Sequence, residues 1–513
     1  MRVLWAAMAA MLFGVAAPAH AEWREAKTKH FLIYSQDNEA KLHKFAERLE
    51  AVHALMLMAT GKQDQENPYP VRVYVVADTH AVQSYMEHPN SDVAGFYRPL
   101  VTGPIAITPR DTDSGDFSFS QQLVLFHEYA HHFMLQYFPS AYPAWYVEGW
   151  AELVSTASFE KPGFISYGKA AEHRRYELSD NIISATRLVT VRQKDLNSEE
   201  RGRFYGESWL LAHYLTFDAK RHGQLAAYLA AFNSGASLAD AAKVFGAPRT
   251  LDRDLDKYLT TGNFSYRQPP IPADVGRSIA IRTLAADESA MLPFEMEFTK
   301  TMKPDAAKTF AARVEAAAAR FPDGPRAQTL AAEVDLDAGL LDPAEREARR
   351  AVALAPNSAR ARYFLGAVEL ARAEAADDDK RATLAAAGKA DILAANRLDP
   401  DDPLPLIGFY RSFGAAGLPA PEAARNALMG AVQIVPQDGN TRLMLVRDLL
   451  VRGDKPHAIM LLKPLAYDVH RGGGSALALK MLDILEGRAT GDPLNVTVDE
   501  DGDAPKAKPK AGD

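Results

Sequence analysis

The chain has no cysteine among its 513 residues. That absence excludes disulfides, a thiol nucleophile, thiolate metal sites and a lipid anchor on cysteine. Basic residues are not in excess either: 58 Lys and Arg stand against 66 Asp and Glu, a formal charge of -8. A nucleic-acid binder needs a basic stripe, so no nucleic-acid partner is expected. Long apolar runs are missing outside the first residues, so no membrane span is expected in the mature chain. The one apolar run, Val3–Ala17, follows Met1-Arg2 and leads to "APAHA", with small residues at Ala19 and Ala21. It reads as an export signal, residues 1–21, cleaved after Ala21. The alternative is an uncleaved anchor, although the run is shorter than the ~20 residues a spanning helix needs. The protein is therefore expected in the periplasm or secreted.

What is present points to an α+β, predominantly helical protein of several domains. Apolar residues make up 47% of the chain, enough for large cores. Residues 22–265 form a first domain. "HFLIYS" (30–35), "VRVYVVAD" (71–78) and "GPIAITPR" (103–110) read as strands. The stretch between the first two has helical spacing. From about 118 the pattern turns helical, with serines to cap "SFSQQLVLFHEYAHHFMLQYF" and Pro139 after it. Residues 266–276, "YRQPPIPADVG", read as a linker. Residues 277–490 carry four similar helix-to-turn junctions at Pro322, Pro356, Pro400 and Pro436, separated by 34, 44 and 36 residues. A period near 34 is the signature of tetratricopeptide (TPR) repeats, and "AEAADDDKR" supplies the insertion in the long one. The tail, 491–513, is polar and expected to be disordered.

Within this frame "FHEYAHHF" (126–133) is unusual. His127 and His131 are four residues apart, so on a helix they stand one above the other and can converge on one ion. His132 lies about 140° away from His127 and is expected to be a packing residue. Glu128 points about 100° from His127, suited to taking a proton from a water on that ion. This is the H-E-x-x-H arrangement of two zinc ligands and a general base. Zinc needs a third ligand. A metzincin continuation would need Gly and His where Met134 and Tyr137 stand. The other source is a glutamate on a following helix. "PAWYVEGWAE" offers Glu148 and Glu152 on one face, with Gly149 permitting close helix approach.

"FHEYAHHF" followed by "PAWYVEGWAE" resembles the gluzincin peptidases, and in particular the peptidase MA-like group of bacterial exported proteins, whose catalytic domain is often followed by TPR repeats. The resemblance implies a zincin-like catalytic domain and a Zn2+ centre at His127, His131 and Glu148. It also implies Glu128 as base and Glu152 as a partner that orients a ligand histidine. Peptide hydrolysis further needs a strand edge for substrate, for which "GPIAITP" is the candidate, and an oxyanion donor. Tyr205, His213, Tyr142 and Tyr146 are candidates for the donor, Tyr205 foremost. The expected activity is zinc-dependent peptide-bond hydrolysis of a peptide or protein substrate, with a protein partner on the repeats. The alternative is a catalytically inactive TPR-type scaffold of the cell envelope with a structural metal domain.

Overall fold

A computed structural model describes residues 22–66, 69–87, 95–110, 119–179, 183–468 and 473–497. The export-signal reading of residues 1–21 and the serine cap at Ser118 lie outside them. Six strands form one sheet: β1 (Arg24–Lys27), β2 (Phe31–Ser35), β3 (Val71–Val76), β4 (Phe96–Arg98), β5 (Ile105–Pro109) and β6 (Ala280–Thr283). Their order is β4–β5–β3–β2–β1–β6. The pairs β2–β3 and β3–β5 are parallel, and the other three are antiparallel.

Helix α1 (Glu39–Thr60) makes the crossover from β2 to β3. Its ends follow from its sequence: Asn38 caps the first turn through Lys41 N–H, and Gly61 takes the left-handed conformation that stops it. The central strands read as continuous apolar runs because both sheet faces are covered. Phe31, Ile33, Val73 and Val75 face α1, packing with Leu49 and Val52. Tyr34, Tyr74, Val76 and Ile107 face the other way, toward Leu292 and Met296.

The first helical group comprises α2 (Thr79–Ser84), α3 (Phe119–Tyr137), α4 (Ala144–Ser155), α5 (Ala185–Thr190), α6 (Ser198–Phe217), α7 (Gln224–Asn233), α8 (Leu238–Ala241) and α9 (Pro248–Thr261). Helix α3 lies on the α1 side of the sheet, with Phe126, Tyr129 and Phe133 in the same core. Helix α10 (Ala286–Glu297) covers the opposite face.

Three sequence expectations change here. The stretch 266–276 is not a free linker: Arg267 and Pro270 pair with Tyr167 and Phe164, and β6 then joins β1. Its prolines mark an extended strip laid along 163–167, and the sheet region closes near residue 284. Strand β5 is not an edge, because β4 pairs with its outer side. The tail begins later than expected, since Pro493–Asn495 forms a 3-10 turn and Val496 packs with the apolar cluster of Met481 and Leu482. Burial of Val496 offsets the polarity of its neighbours. The tail beyond residue 497 lies outside the described residues.

The remainder is an array of consecutive helices: α11 (Pro304–Ala318), α12 (Pro325–Asp337), α13 (Leu341–Leu354), α14 (Ala359–Ala375), α15 (Asp378–Leu398), α16 (Pro403–Ala415), α17 (Glu422–Ile434), α18 (Gly439–Val451), α19 (Lys455–Ala466) and α20 (Gly473–Leu485). Neighbours in sequence pack together, and α14 also touches α12 and α16, as in a solenoid of helix pairs. This is a TPR-like helical repeat region. The extra residues of the long repeat are helical: α14 and α15 have 17 and 21 residues, against 13 and 14 in α12 and α13. The run Asp377–Asp379 starts α15, where carboxylates suit the positive end of the helix dipole. Val101, at the β4–β5 turn, packs against the clusters of α14–α17 and ties the array to the sheet.

Candidate metal centre

His127 and His131 face the same side of α3. Their rings stand edge to face, centroids 4.7 Å apart with planes at 82°. The two Nε2 atoms are 3.0 Å apart. Pro143 sets the turn into α4, and one turn further Glu148 brings its carboxylate back onto them. Glu148 Oε2 lies 3.2 Å from His127 Nε2 and 3.5 Å from His131 Nε2. Three ligands of a tetrahedral zinc, each ~2.0–2.1 Å from the ion, are separated by about 3.3 Å. The observed triangle has that size.

The electrostatics fit as well. All three side chains are buried, Glu148 at 1% exposure. Glu148 Oε2 makes no hydrogen bond of good geometry, an orphaned acceptor in an apolar setting. Burial alone would raise the Glu148 carboxyl, but His131 and His127 hold it well below the usual range. Burial would likewise depress His127; the close Glu148 and Glu152 carboxylates prevail and push it up to about 10.

The structure separates the two glutamates. Glu152 Oε1 lies 3.1 Å from His127 Nδ1, the nitrogen away from the triangle. It therefore fixes the tautomer that leaves Nε2 open. Fully buried, Glu152 is also held by His173 Nε2 at 2.7 Å and Arg174 Nη2 at 2.5 Å. These donors, with His127, bring its carboxyl well below the ordinary value although burial acts to raise it. Sequence reasoning missed His173 and Arg174. They sit in the charged 3-10 segment Glu172–Leu178, which has no spacing relation to α3 or α4.

Gly149 lets α4 approach α6: a Cβ there would fall 2.3 Å from the Ser208 carbonyl oxygen. That approach sets Tyr205 of α6 beside the triangle, its ring centroid 6.2 Å from His127 and 4.9 Å from the Arg174 guanidinium. Burial, then the Glu148 charge, raise the Tyr205 hydroxyl above its usual value. Glu128 is half-buried on α3, and its charge reaches Tyr97 of β4 and Tyr205 of α6. The other donor candidates have other work. Both ring nitrogens of His213 are engaged, with the Gly168 carbonyl and the Tyr258 hydroxyl, each at 2.8 Å. Tyr142 and Tyr146 pack on each other, Tyr146 also on Trp145. His132 is a buried packing residue whose Nδ1 accepts from the Tyr97 hydroxyl at 2.8 Å.

A second cluster lies behind α3, formed by His30, His53 and Asp64. His30 Nε2 is 2.9 Å from Asp64 Oδ1 and its Nδ1 is 2.7 Å from Glu50. His53 Nδ1 is 2.6 Å from the Tyr129 hydroxyl of α3.

No known family profile matches the chain. No curated protein sequence matches it. Among solved structures it is similar to a thermophilic TPR protein of Thermus thermophilus, at 17% identity and TM-score 0.32, over 40% of this chain and 96% of that one. It is also similar to yeast Tom70, at 12% identity and TM-score 0.26, over 70% of this chain and 69% of that one. At such scores these likenesses add nothing to what the helices themselves show.

Proposed function

We propose that this protein is an exported zinc-dependent peptidase. The observation that carries the reading is the buried triangle of His127, His131 and Glu148, with edges of 3.0, 3.2 and 3.5 Å. Bound zinc would acidify a coordinated water and polarise a substrate carbonyl. The chain's own groups do the rest. Glu128, one residue from a ligand and half-buried, takes the proton from the attacking water and returns it to the leaving amine. The Tyr205 hydroxyl donates to the oxygen on which charge develops. Glu152 keeps His127 in the tautomer that presents Nε2. Among the described residues β4 is the outer strand, and its outer side would take an extended peptide, replacing β5 in that role. Export rests on the leader-like first 21 residues; among the described residues no helix is long and apolar enough to cross a membrane.

The test is zinc content together with turnover of a peptide library. Wild type should hold one zinc per chain and cleave; Glu128→Gln should hold zinc and not cleave. Zinc in both with cleavage in neither favours a second reading, a protein-binding scaffold whose metal centre is inert. The observation behind that reading is the TPR-like array, helices α11–α20, which is built for protein contact.

A further inference from the structure

The array holds a cavity of about 750 Å³ whose walls include Tyr410, Arg425, Arg447, Val451 and Leu477. Its charge is one-sided, three guanidiniums (Arg425, Arg447, Arg452) facing one carboxylate, Asp448. Asp448 is already taken by Arg452 at 2.9 Å and the Tyr410 hydroxyl at 3.0 Å. Arg425 donates to a backbone carbonyl, that of Ala420, at 2.9 Å. Arg447 has no ion pair or hydrogen bond among the described residues. Beside these cations Val451 stands 75% exposed, an apolar spot at the rim. The cavity is shaped for a short acidic segment carrying an apolar residue.

The chain leads such a segment to it. After α20 it turns back along the same helix. Gly491 lies against Ile484, where a Cβ would be 3.3 Å from Cδ1. Val496 joins the cluster of Met481 and Leu482, and the Thr497 carbonyl accepts from Lys480 Nζ at 3.1 Å. The chain thus travels from Ile484 toward Lys480. Leu477, a wall of the cavity, is the next turn in that direction, about 4.5 Å along the axis. An extended residue spans ~3.3 Å, so two residues close the gap. The sequence that follows is Val498-Asp499-Glu500-Asp501-Gly502-Asp503, one apolar residue and then four acids.

We propose that the segment Val498–Asp503 docks in this cavity, with its carboxylates on Arg425 and Arg447 and Val498 against Leu477 and Val451. The array then carries an acidic-peptide site with the chain's own segment as resident ligand. An outside segment has to compete with a tethered one, whose effective concentration is in the ~mM range.

The lack of cysteine makes the test clean. In the full chain, Glu500→Cys is paired with Val451→Cys. A control pairs Glu500→Cys with Leu398→Cys, on α15, which does not line the cavity; Leu398 is 42% exposed. Under mild oxidation the first pair should close an intramolecular disulfide at least ~10-fold faster than the control, and adding Arg447→Glu should bring it down to the control rate. A labelled peptide of residues 496–505 should bind a chain with Asp499, Glu500, Asp501 and Asp503 changed to their amides at least ~10-fold tighter than wild type. Equal closure rates, or crosslinks mainly between two copies, overturn the proposal. So does a peptide that binds both chains alike or neither.

Discussion

A histidine–carboxylate cluster lies on each of two sides of helix α3, and the two differ in how their rings are set. In front, His127 and His131 meet edge to face at 82°, and each Nε2 has the other and Glu148 Oε2 within 3.5 Å. Behind, His30 and His53 lie stacked, centroids 3.6 Å apart and planes at 21°. An imidazole binds an ion in its own ring plane, along the nitrogen lone pair. Two nearly parallel planes separated by a stacking distance share no point close enough to both nitrogens. The rear cluster is held by hydrogen bonds between its rings and carboxylates, and it bolts α1 to α3 through Tyr129 and Tyr137. Similar ligand types within a few ångströms are not enough for a metal site; the ring planes favour the front cluster over the rear one.

The largest expected effect tests that contrast directly. His131→Ala should lower zinc affinity by about 10³-fold or more, because a two-ligand site remains and the buried Glu148 carboxylate loses its partner. His53→Ala should leave the zinc content at one per chain, though it weakens the fold. Metal analysis after gel filtration reads both. Two zinc ions per wild-type chain, one of them lost in His53→Ala, would break the comparison. Under the peptidase reading, Glu128→Gln should cost about 10²–10⁴-fold in kcat at unchanged zinc content.

Next comes acid stability, where the clusters have opposite signs. Burial, foremost, depresses His53 to about 4. Above pH ~6.5 neither state holds that proton; between ~6.5 and 4 the unfolded chain binds it and the folded chain does not, so stability falls as pH falls. The loss is about 3 kcal/mol by pH 4. His53→Asn should be less stable at pH 7 yet lose about 3 kcal/mol less on acidification, read by urea unfolding at the two pH values. In metal-free protein His127, raised to about 10, acts the other way. Its contribution is fully present below ~6.5 and fades as pH rises through 10. Zinc should abolish that alkaline slope and leave the acid one unchanged.

The front cluster was legible in the sequence because its main parts are local. A four-residue spacing fixes His127 against His131, and a short turn returns Glu148 and Glu152 on one helical face. Gly149, a single missing side chain, shows why α4 can press on α6. The rear cluster was not legible: His30 lies in the bend before β2, His53 on α1 and Asp64 in the loop before β3, brought together by parallel pairing of β2 with β3. His173 and Arg174 were hidden for the same reason, since an irregular segment has no period to betray its facing side. The strands and the repeat spacing were readable from pattern alone. The proline-rich strip 266–276 misled, because prolines that end helices also suit an extended segment pairing through its carbonyls, as Pro269 does with Ile165.

The smallest effect concerns the nitrogens that face away from the proposed zinc. Both clusters fasten Nδ1: His127 on Glu152 at 3.1 Å, His30 on Glu50 at 2.7 Å. At the front, this fixes the tautomer and leaves the Nε2 lone pair open; under the peptidase reading it would also make the imidazole a better donor to zinc. Glu152→Gln keeps the shape but removes the charge; it leaves His173 without its anion and Arg174 with Glu177 alone. Zinc affinity should fall about 10–100-fold, measured by competition with a chelating dye. Glu50→Gln makes the same change behind α3 and should leave zinc affinity within about twofold. If the two variants weaken zinc equally, the effect travels through general loosening of α3, and the distinction between a metal-orienting carboxylate and a structural one fails.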